Sequence, residues 1–216
     1  MIKAVIFDMD GTLVDTESLG VRAWKMAARE LGLELPESVM MGFIGRTLPG
    51  VLAELEKLYG NETDAERLWR RHKELRDEWV LQDLPLKPGA AECLDELAAA
   101  GYHLGLATSS RHETAERNLR LVGLFDKFET VTCGDDVAHG KPDPEMYLLA
   151  CKRAGASPAE CAVVEDSRNG CVSGIAAGAH VFAVPDLVPL PQEVVDGSEA
   201  VLDTLFELPA AVKALG

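Results

Sequence analysis

Two aspartates near the start of the chain, Asp8 and Asp10, directly follow an apolar run at residues 4–7 and precede Gly11. In an extended chain, residues two positions apart point to the same side, so both carboxylates can reach one small volume. Two anions that share a site repel each other, which favours a bound cation or a shifted proton. A carboxylate can also act as a nucleophile and form an aspartyl-phosphate. The alternative is a strand end followed by an ordinary Asp-Gly turn.

Three later segments carry further reactive side chains close to apolar runs. Thr108-Ser109-Ser110 precedes a helical pattern, which favours anion binding but also suits an ordinary helix N-cap. Lys141 stands beside two prolines that restrict the backbone, although a lone turn lysine is usually a solvated one. Glu165 and Asp166 end another apolar run, where the alternative is an acidic first turn of a helix. Together, the four segments are more specific than any one of them.

A parallel sheet is the element that can bring these segments together. Apolar runs of strand length occur near residues 3–7, 103–107, 130–133, 161–165 and 180–184, with helical patterns between them. This alternation predicts an α/β fold, a doubly wound parallel sheet of Rossmann-like type that binds ligands at the carboxyl ends of its strands. Residues 16–84 carry helical patterns only. We therefore predict an α/β catalytic core from residues 1–15 and 85–216 and an inserted α-helical cap from residues 16–84.

The order and context of the four segments resemble the haloacid dehalogenase superfamily of phosphohydrolases, in particular its β-phosphoglucomutase-like subgroup. The resemblance covers essentially the whole chain. It implies that Asp8 is the nucleophile and that Asp10 is the general acid and base. It further implies that Thr108 hydrogen-bonds the transferred phosphoryl group and that Lys141 neutralises charge between this group and Asp8.

The resemblance also implies a metal site. Asp8, Asp166 and the main-chain carbonyl of Asp10 would bind the ion, and Glu165 would hold or supplement the metal shell. A donor set made of oxygen atoms favours Mg²⁺ over zinc. The implied activity is that of a Mg²⁺-dependent phosphatase, a phosphoric monoester hydrolase that acts on a small phosphorylated metabolite such as a sugar phosphate.

Two other functions stay open. The mutase of the subgroup carries a histidine in the stretch where this chain has Glu17-Ser18-Leu19-Gly20-Val21, and Gly20 cannot make the side-chain hydrogen bond of that histidine. This departure favours a phosphatase over a β-phosphoglucomutase-type phosphomutase. A noncatalytic phosphate-sensing or partner-binding domain is the second alternative, because a fold does not fix a function.

The formal net charge of −15 disfavours nucleic-acid and membrane-surface binding. An anionic substrate then needs a local positive pocket, for which Mg²⁺, Lys141, Arg46 and Arg111 are candidates. Ser109 and Ser110 are further candidates for substrate binding. Arg46 could equally be an exposed cap arginine.

The remaining composition is typical of an intracellular enzyme. Five cysteines without a C-x-x-C pair indicate reduced thiols and a cytoplasmic location. The chain shows no signal peptide and no apolar stretch long enough to span a bilayer. We expect a monomer or a weak dimer.

Overall fold

The computed structural model describes residues 1–215 of the chain. The chain forms two compact units. One contains Met1–Asp15 and the chain from Pro85 onward, and is called the core unit below. The other contains Thr16–Leu84 and is called the helical unit.

A six-stranded sheet forms the centre of the core unit, and every adjacent pair of its strands is parallel. In spatial order the strands run β3-β2-β1-β4-β5-β6. The doubly wound parallel sheet predicted from the alternating patterns is thereby confirmed. All four residues of β1 are buried, because helices cover both faces of such a sheet. The strand bounds are β1 (Ala4–Phe7), β2 (His103–Ala107), β3 (Thr130–Thr132), β4 (Cys161–Glu165), β5 (His180–Ala183) and β6 (Ala200–Val201).

The helical unit has its own apolar core, made by the inner faces of its helices. Within this core Trp24 stacks on His72, with ring centroids 3.8 Å apart and planes 8° from parallel. The side chain of Asn61 caps the longest helix by accepting a hydrogen bond from the Asp64 amide at 2.8 Å. The helices are α1 (Thr16–Leu31), α2 (Glu37–Met41), α3 (Leu48–Tyr59) and α4 (Glu62–Gln82).

Five helices, α5 to α9, lie between the strands of the core unit, and α10 follows the last strand among the described residues. Their apolar faces bury the central strands, and one cluster includes Ile6 of β1, Val163 of β4 and Tyr147. Within residues 1–215, no helix is both long and apolar enough to cross a membrane. The helices are α5 (Ala90–Ala99), α6 (His112–Leu121), α7 (Glu145–Arg153), α8 (Arg168–Ala177), α9 (Gln192–Gly197) and α10 (Leu208–Ala214).

Candidate active site

The register of the three central strands brings the reactive segments to one edge of the sheet. Phe7 of β1 lies opposite Leu106 of β2 on one side and Val164 of β4 on the other. The residues that follow in each strand therefore emerge side by side. Asp8 continues the ladder, because its amide donates to the Val164 carbonyl at 3.0 Å. The site is thus built by strand pairing between parts of the chain that are far apart in sequence.

Lys141 is the centre of a buried charge network. Its ammonium donates to Asp8 Oδ1 at 2.5 Å, to Glu165 Oε1 at 2.7 Å and to the Ala107 carbonyl at 3.0 Å. Burial disfavours the ammonium form, but the adjacent Asp8 and Glu165 carboxylates outweigh burial and raise the pKa of Lys141 above its ordinary value. Lys141 therefore stays charged and is held between two carboxylates.

Asp8 lies in surroundings that disfavour its ionised form. Burial raises the pKa of Asp8, Glu165 and Asp10 raise it further, and Lys141 alone opposes these effects among the main contributions. A further cation close to Asp8 would offset the effect of burial and favour the ionised carboxylate.

Glu165 receives hydrogen bonds at both carboxylate oxygens. Its Oε1 accepts from Lys141 and, at 2.8 Å, from the hydroxyl of Tyr147. Its Oε2 accepts from the amides of Asp166 and Ser167, each at 3.1 Å, and from the Ser167 hydroxyl at 3.0 Å. These bonds fix the side chain at the end of β4, where it orients the lysine and the start of the following segment.

Asp166 points to the other side of the same strand end. Its Oδ1 accepts a hydrogen bond from the hydroxyl of Thr12 at 2.9 Å. Gly11 makes this approach possible, because a Cβ at position 11 would lie 2.3 Å from Asp166 Oδ2 and because its φ is +83°. One oxygen each of Asp8, Glu165 and Asp166 lie within 4.8 Å of one another, which is a spacing that a single metal ion can bridge.

Asp10 contacts the loop that follows β2. The hydroxyl of Ser110 donates to Asp10 Oδ2 at 2.9 Å, and the Ser110 amide donates to the hydroxyl oxygen of Thr108 at 3.1 Å. Thr108 is fully buried, and its amide donates to the Thr132 carbonyl of the neighbouring strand end. The loop after β2 thus joins Asp10 to Ser110, and Ser110 to Thr108.

The other three predicted substrate-binding residues are exposed. Ser109 lies between the two hydroxyl residues of the core loop, and Arg111 is the N-cap residue of α6. Arg46 lies in the helical unit, in the segment before α3, where its guanidinium is 3.8 Å from a carboxylate oxygen of Glu54. Their roles in substrate binding stay predictions.

Two residues that the sequence analysis did not assign also contribute to the site. Thr12 fixes Asp166, and its position directly after the Asp-x-Asp-Gly run was a signal that could have been used. Tyr147 fixes Glu165 from α7, where it occupies an apolar position of the helical pattern. No local pattern distinguishes this tyrosine from an ordinary core aromatic residue.

Comparison with known proteins identifies the family. A family model of haloacid dehalogenase-like hydrolases matches residues 2–178. Over 181 residues the chain is 34% identical to a phosphorylated carbohydrates phosphatase of Thermotoga maritima, with 82% of each chain covered. Over 190 residues it is 33% identical to a beta-phosphoglucomutase of Bacillus subtilis, with 85% of this chain and 82% of the relative covered.

Solved structures agree with this result. The crystal structure of a family hydrolase from Deinococcus radiodurans, with bound phosphate and sodium, matches with a TM-score of 0.81 and 31% identity. The match covers 99% of this chain and 96% of that one. The chain therefore belongs to the haloacid dehalogenase-like hydrolases. The predicted family and the predicted enzyme class, phosphoric monoester hydrolase, are confirmed.

Proposed function

We propose that the protein is a Mg²⁺-dependent phosphatase that hydrolyses a small phosphorylated metabolite, a sugar phosphate or a related phosphomonoester, through an aspartyl-phosphate at Asp8. The observation that carries this proposal is the buried contact of 2.5 Å between Asp8 and Lys141 at the carboxyl edge of the sheet. A carboxylate held beside a fixed ammonium is suited to attack an anionic phosphorus centre, since the ammonium offsets the repulsion between the two anions.

The donor set fits Mg²⁺. The carboxylates of Asp8 and Asp166 supply hard oxygens in a buried setting. Burial, together with Glu165 and Asp10, raises the pKa of Asp8 despite the nearby Lys141, and a bound cation would offset this shift. We assign the Asp8 and Asp166 carboxylates and the main-chain carbonyl of Asp10 as metal ligands. Glu165 supplements the metal shell, and it accepts a hydrogen bond from the Asp166 amide. When bound, the ion supplies positive charge next to the phosphoryl oxygens.

The proposed reaction consists of two displacement steps at phosphorus. The Asp8 carboxylate attacks phosphorus, the ester P–O bond breaks, and Asp10 gives its proton to the departing oxygen. Asp10 then takes a proton from water as that water attacks the aspartyl-phosphate, which releases inorganic phosphate and restores Asp8. Thr108 donates a hydrogen bond to the transferred group, and Lys141 stabilises its negative charge.

Substrate contacts are proposed for side chains around this centre. Ser109, Ser110 and Arg111 follow the end of β2 and precede the first turn of α6, where polar hydrogens and positive charge favour an anion. Arg46 of the helical unit is proposed to contact the remainder of the substrate, with Thr16–Leu84 acting as a cap. Among the relatives, both the phosphatase and the mutase are named for sugar-type phosphates, which supports this substrate class. We further propose a cytoplasmic monomer or weak dimer that binds neither nucleic acid nor membrane.

A phosphomutase is the second candidate function. Besides the sequence similarity to a mutase, one structural observation favours it. The helical unit holds an imidazole next to Gly20, because a Cβ at position 20 would lie 3.9 Å from Nε2 of His72. However, His72 is buried and stacked on Trp24, and burial lowers its pKa to about 3. A neutral ring enclosed in a helix core is poorly suited to transfer protons, so the phosphatase remains the preferred function.

The test is turnover of phosphate esters with Mg²⁺ present and after exhaustive chelation. We expect release of inorganic phosphate that requires Mg²⁺, and complete loss in Asp8→Asn. The matched control is Asp126→Asn, which changes an exposed carboxylate in the same unit. Phosphate release by Asp8→Asn at the wild-type rate would refute the nucleophile. No turnover of any ester would favour the noncatalytic alternative.

A second assay separates phosphatase from mutase. The protein is incubated with β-glucose 1-phosphate and a bisphosphate primer, and both glucose 6-phosphate and free phosphate are measured. We expect free phosphate to form faster. Formation of glucose 6-phosphate well ahead of free phosphate would establish the mutase.

A further inference from the structure

Tyr147 is fully buried beside the charge network of Lys141, Asp8 and Glu165. The proposed reaction gives its hydroxyl no role. Tyr147 lies in the first turn of α7, shortly after Lys141 in the chain, and its hydroxyl donates to Glu165 Oε1 at 2.8 Å. The Lys141 ammonium also lies 4.8 Å from the centroid of its ring, within the range of a cation–π contact. One side chain therefore contacts both partners of the buried ion pair.

The geometry at Glu165 Oε1 shows what the hydroxyl does. This oxygen accepts hydrogen bonds from Lys141 and from Tyr147, while the other oxygen is occupied by donors of the Asp166–Ser167 segment. If the hydroxyl were removed, Lys141 would be the remaining donor to Oε1. A buried carboxylate that loses a donor attracts the nearest cation more strongly. The ammonium would then move toward Glu165 and away from Asp8.

We propose that Tyr147 is a positioning residue that keeps the Lys141 ammonium between the carboxylates of Glu165 and Asp8. Its hydroxyl binds Glu165, and the face of its ring contacts the ammonium. The inference rests on the proposed phosphatase function, because it is there that Lys141 must serve Asp8 and the transferred phosphoryl group. Tyr147 keeps its proton, since burial and the adjacent carboxylates raise its pKa well above the ordinary value. It therefore acts as a permanent hydrogen-bond donor.

The first experiment compares Tyr147→Phe with Tyr102→Phe. The control tyrosine directly precedes β2 and thus lies at the end of the sheet opposite the site. Tyr147→Phe keeps the ring and loses the hydroxyl. We expect its kcat to fall about tenfold with KM changed less than about twofold, because a small displacement of a positioned group affects the reacting state more than binding. Tyr102→Phe should match the wild type. A folded Tyr147→Phe with wild-type kcat would overturn the inference.

A double-mutant cycle distinguishes positioning from packing. In a Glu165→Gln background the neutral amide attracts the ammonium weakly, so removal of the tyrosine hydroxyl should change kcat by less than about twofold. A loss of packing would lower kcat by the same factor in both backgrounds. An equal loss in both backgrounds therefore refutes the positioning role.

A third measurement covers the case in which Tyr147→Phe does not fold. Fluorinated tyrosines at position 147 keep the ring and the hydroxyl and strengthen the donor stepwise. We expect kcat to change in the order of donor strength, and an unchanged kcat across the series would overturn the inference. A wild-type protein without turnover would refute the proposed function and this inference with it. An active wild type with unaffected variants would refute this inference alone.

Discussion

Position 170 gives the most direct test of how the site is held together. Gly170 lies in the first turn of α8, and a Cβ built there would be 1.7 Å from Glu165 Oε1 and 1.8 Å from its carboxylate carbon. Real Cβ atoms essentially never approach another heavy atom closer than 3.0 Å. Gly170→Ala must therefore displace the Glu165 carboxylate by more than an ångström. This displacement breaks the bonds of Oε1 to Lys141 and Tyr147.

The magnitude follows from those two bonds. A hydrogen bond to a charged group contributes about 1.5–3 kcal/mol, and two are lost. Alanine in a helix recovers about 1 kcal/mol relative to glycine. We therefore expect Gly170→Ala to lower the free energy of unfolding by roughly 2–5 kcal/mol. Because Lys141 then loses one of its anchors, kcat should also fall by about 10²-fold.

The assay is urea unfolding together with steady-state phosphate release. The matched control is Gly140→Ala, since Gly140 adjoins Lys141 but a Cβ there meets no atom within 4 Å. Gly140→Ala should stay close to the wild type in both measurements. A Gly170→Ala protein that keeps wild-type stability and kcat would show that Glu165 does not hold the lysine.

Three further predictions address the acid, the metal and the helical unit. Asp10→Asn should slow hydrolysis of esters with poor leaving groups by about 10²–10⁴-fold but spare phosphorylation of Asp8 by an activated ester; equal loss for both would refute the acid–base role. Thr12→Val should weaken the apparent Mg²⁺ affinity about 10–100-fold, because Asp166 loses its hydroxyl donor. At saturating Mg²⁺ its kcat should be near that of the wild type, and an unchanged Mg²⁺ titration would contradict the prediction. Burial lowers the pKa of His72 from 6.5 to about 3, so the unfolded protein binds this proton at a higher pH than the folded protein does. The free energy of unfolding should therefore fall as the pH drops from 6.5 toward 3, by up to about 1.4 kcal/mol per pH unit. His72→Phe should reduce that slope in urea unfolding between pH 5 and pH 8, and an unchanged slope would refute the assignment.

The sequence predicted most of the sheet because its strands are short apolar runs separated by helical patterns. The five predicted strands are present, with ends within two residues of the expected ones. The sixth strand, Ala200–Val201, has two residues and too little pattern to detect. The five-residue helix α2 is likewise too short to be distinguished as a separate element within the helical region predicted for residues 16–84. Both are elements whose existence depends on neighbours that a local pattern does not contain.

The candidate site could likewise be predicted from the sequence only in part. Asp8, Asp10 and Asp166 follow apolar runs closely, so their arrival at one sheet edge could be anticipated from a parallel sheet. Lys141 was distinguished by the prolines that follow it. Glu165 and Asp166 looked equivalent in sequence. The structure separates them, because successive residues at a strand end point to opposite sides, one toward Lys141 and the other toward Thr12. Tyr147 could not be anticipated, since its partner Glu165 is 18 residues away and on another element.

The position of β1 in the sheet has a consequence for the order of events during synthesis. Among the six strands of the sheet this one is made first, yet its two neighbours, β2 and β4, begin at residues 103 and 161. While the ribosome completes Thr16–Leu84, which contains an apolar core of its own, the run Ala4–Phe7 has both hydrogen-bonding edges unpaired. Asp8 meets its lysine only after residue 141 has emerged, and its second neighbouring strand only after residue 161. The nascent chain therefore carries β1 as an apolar strand without its neighbours until β2 has been made, and the contacts of Asp8 with Lys141 and β4 form in later, separate steps.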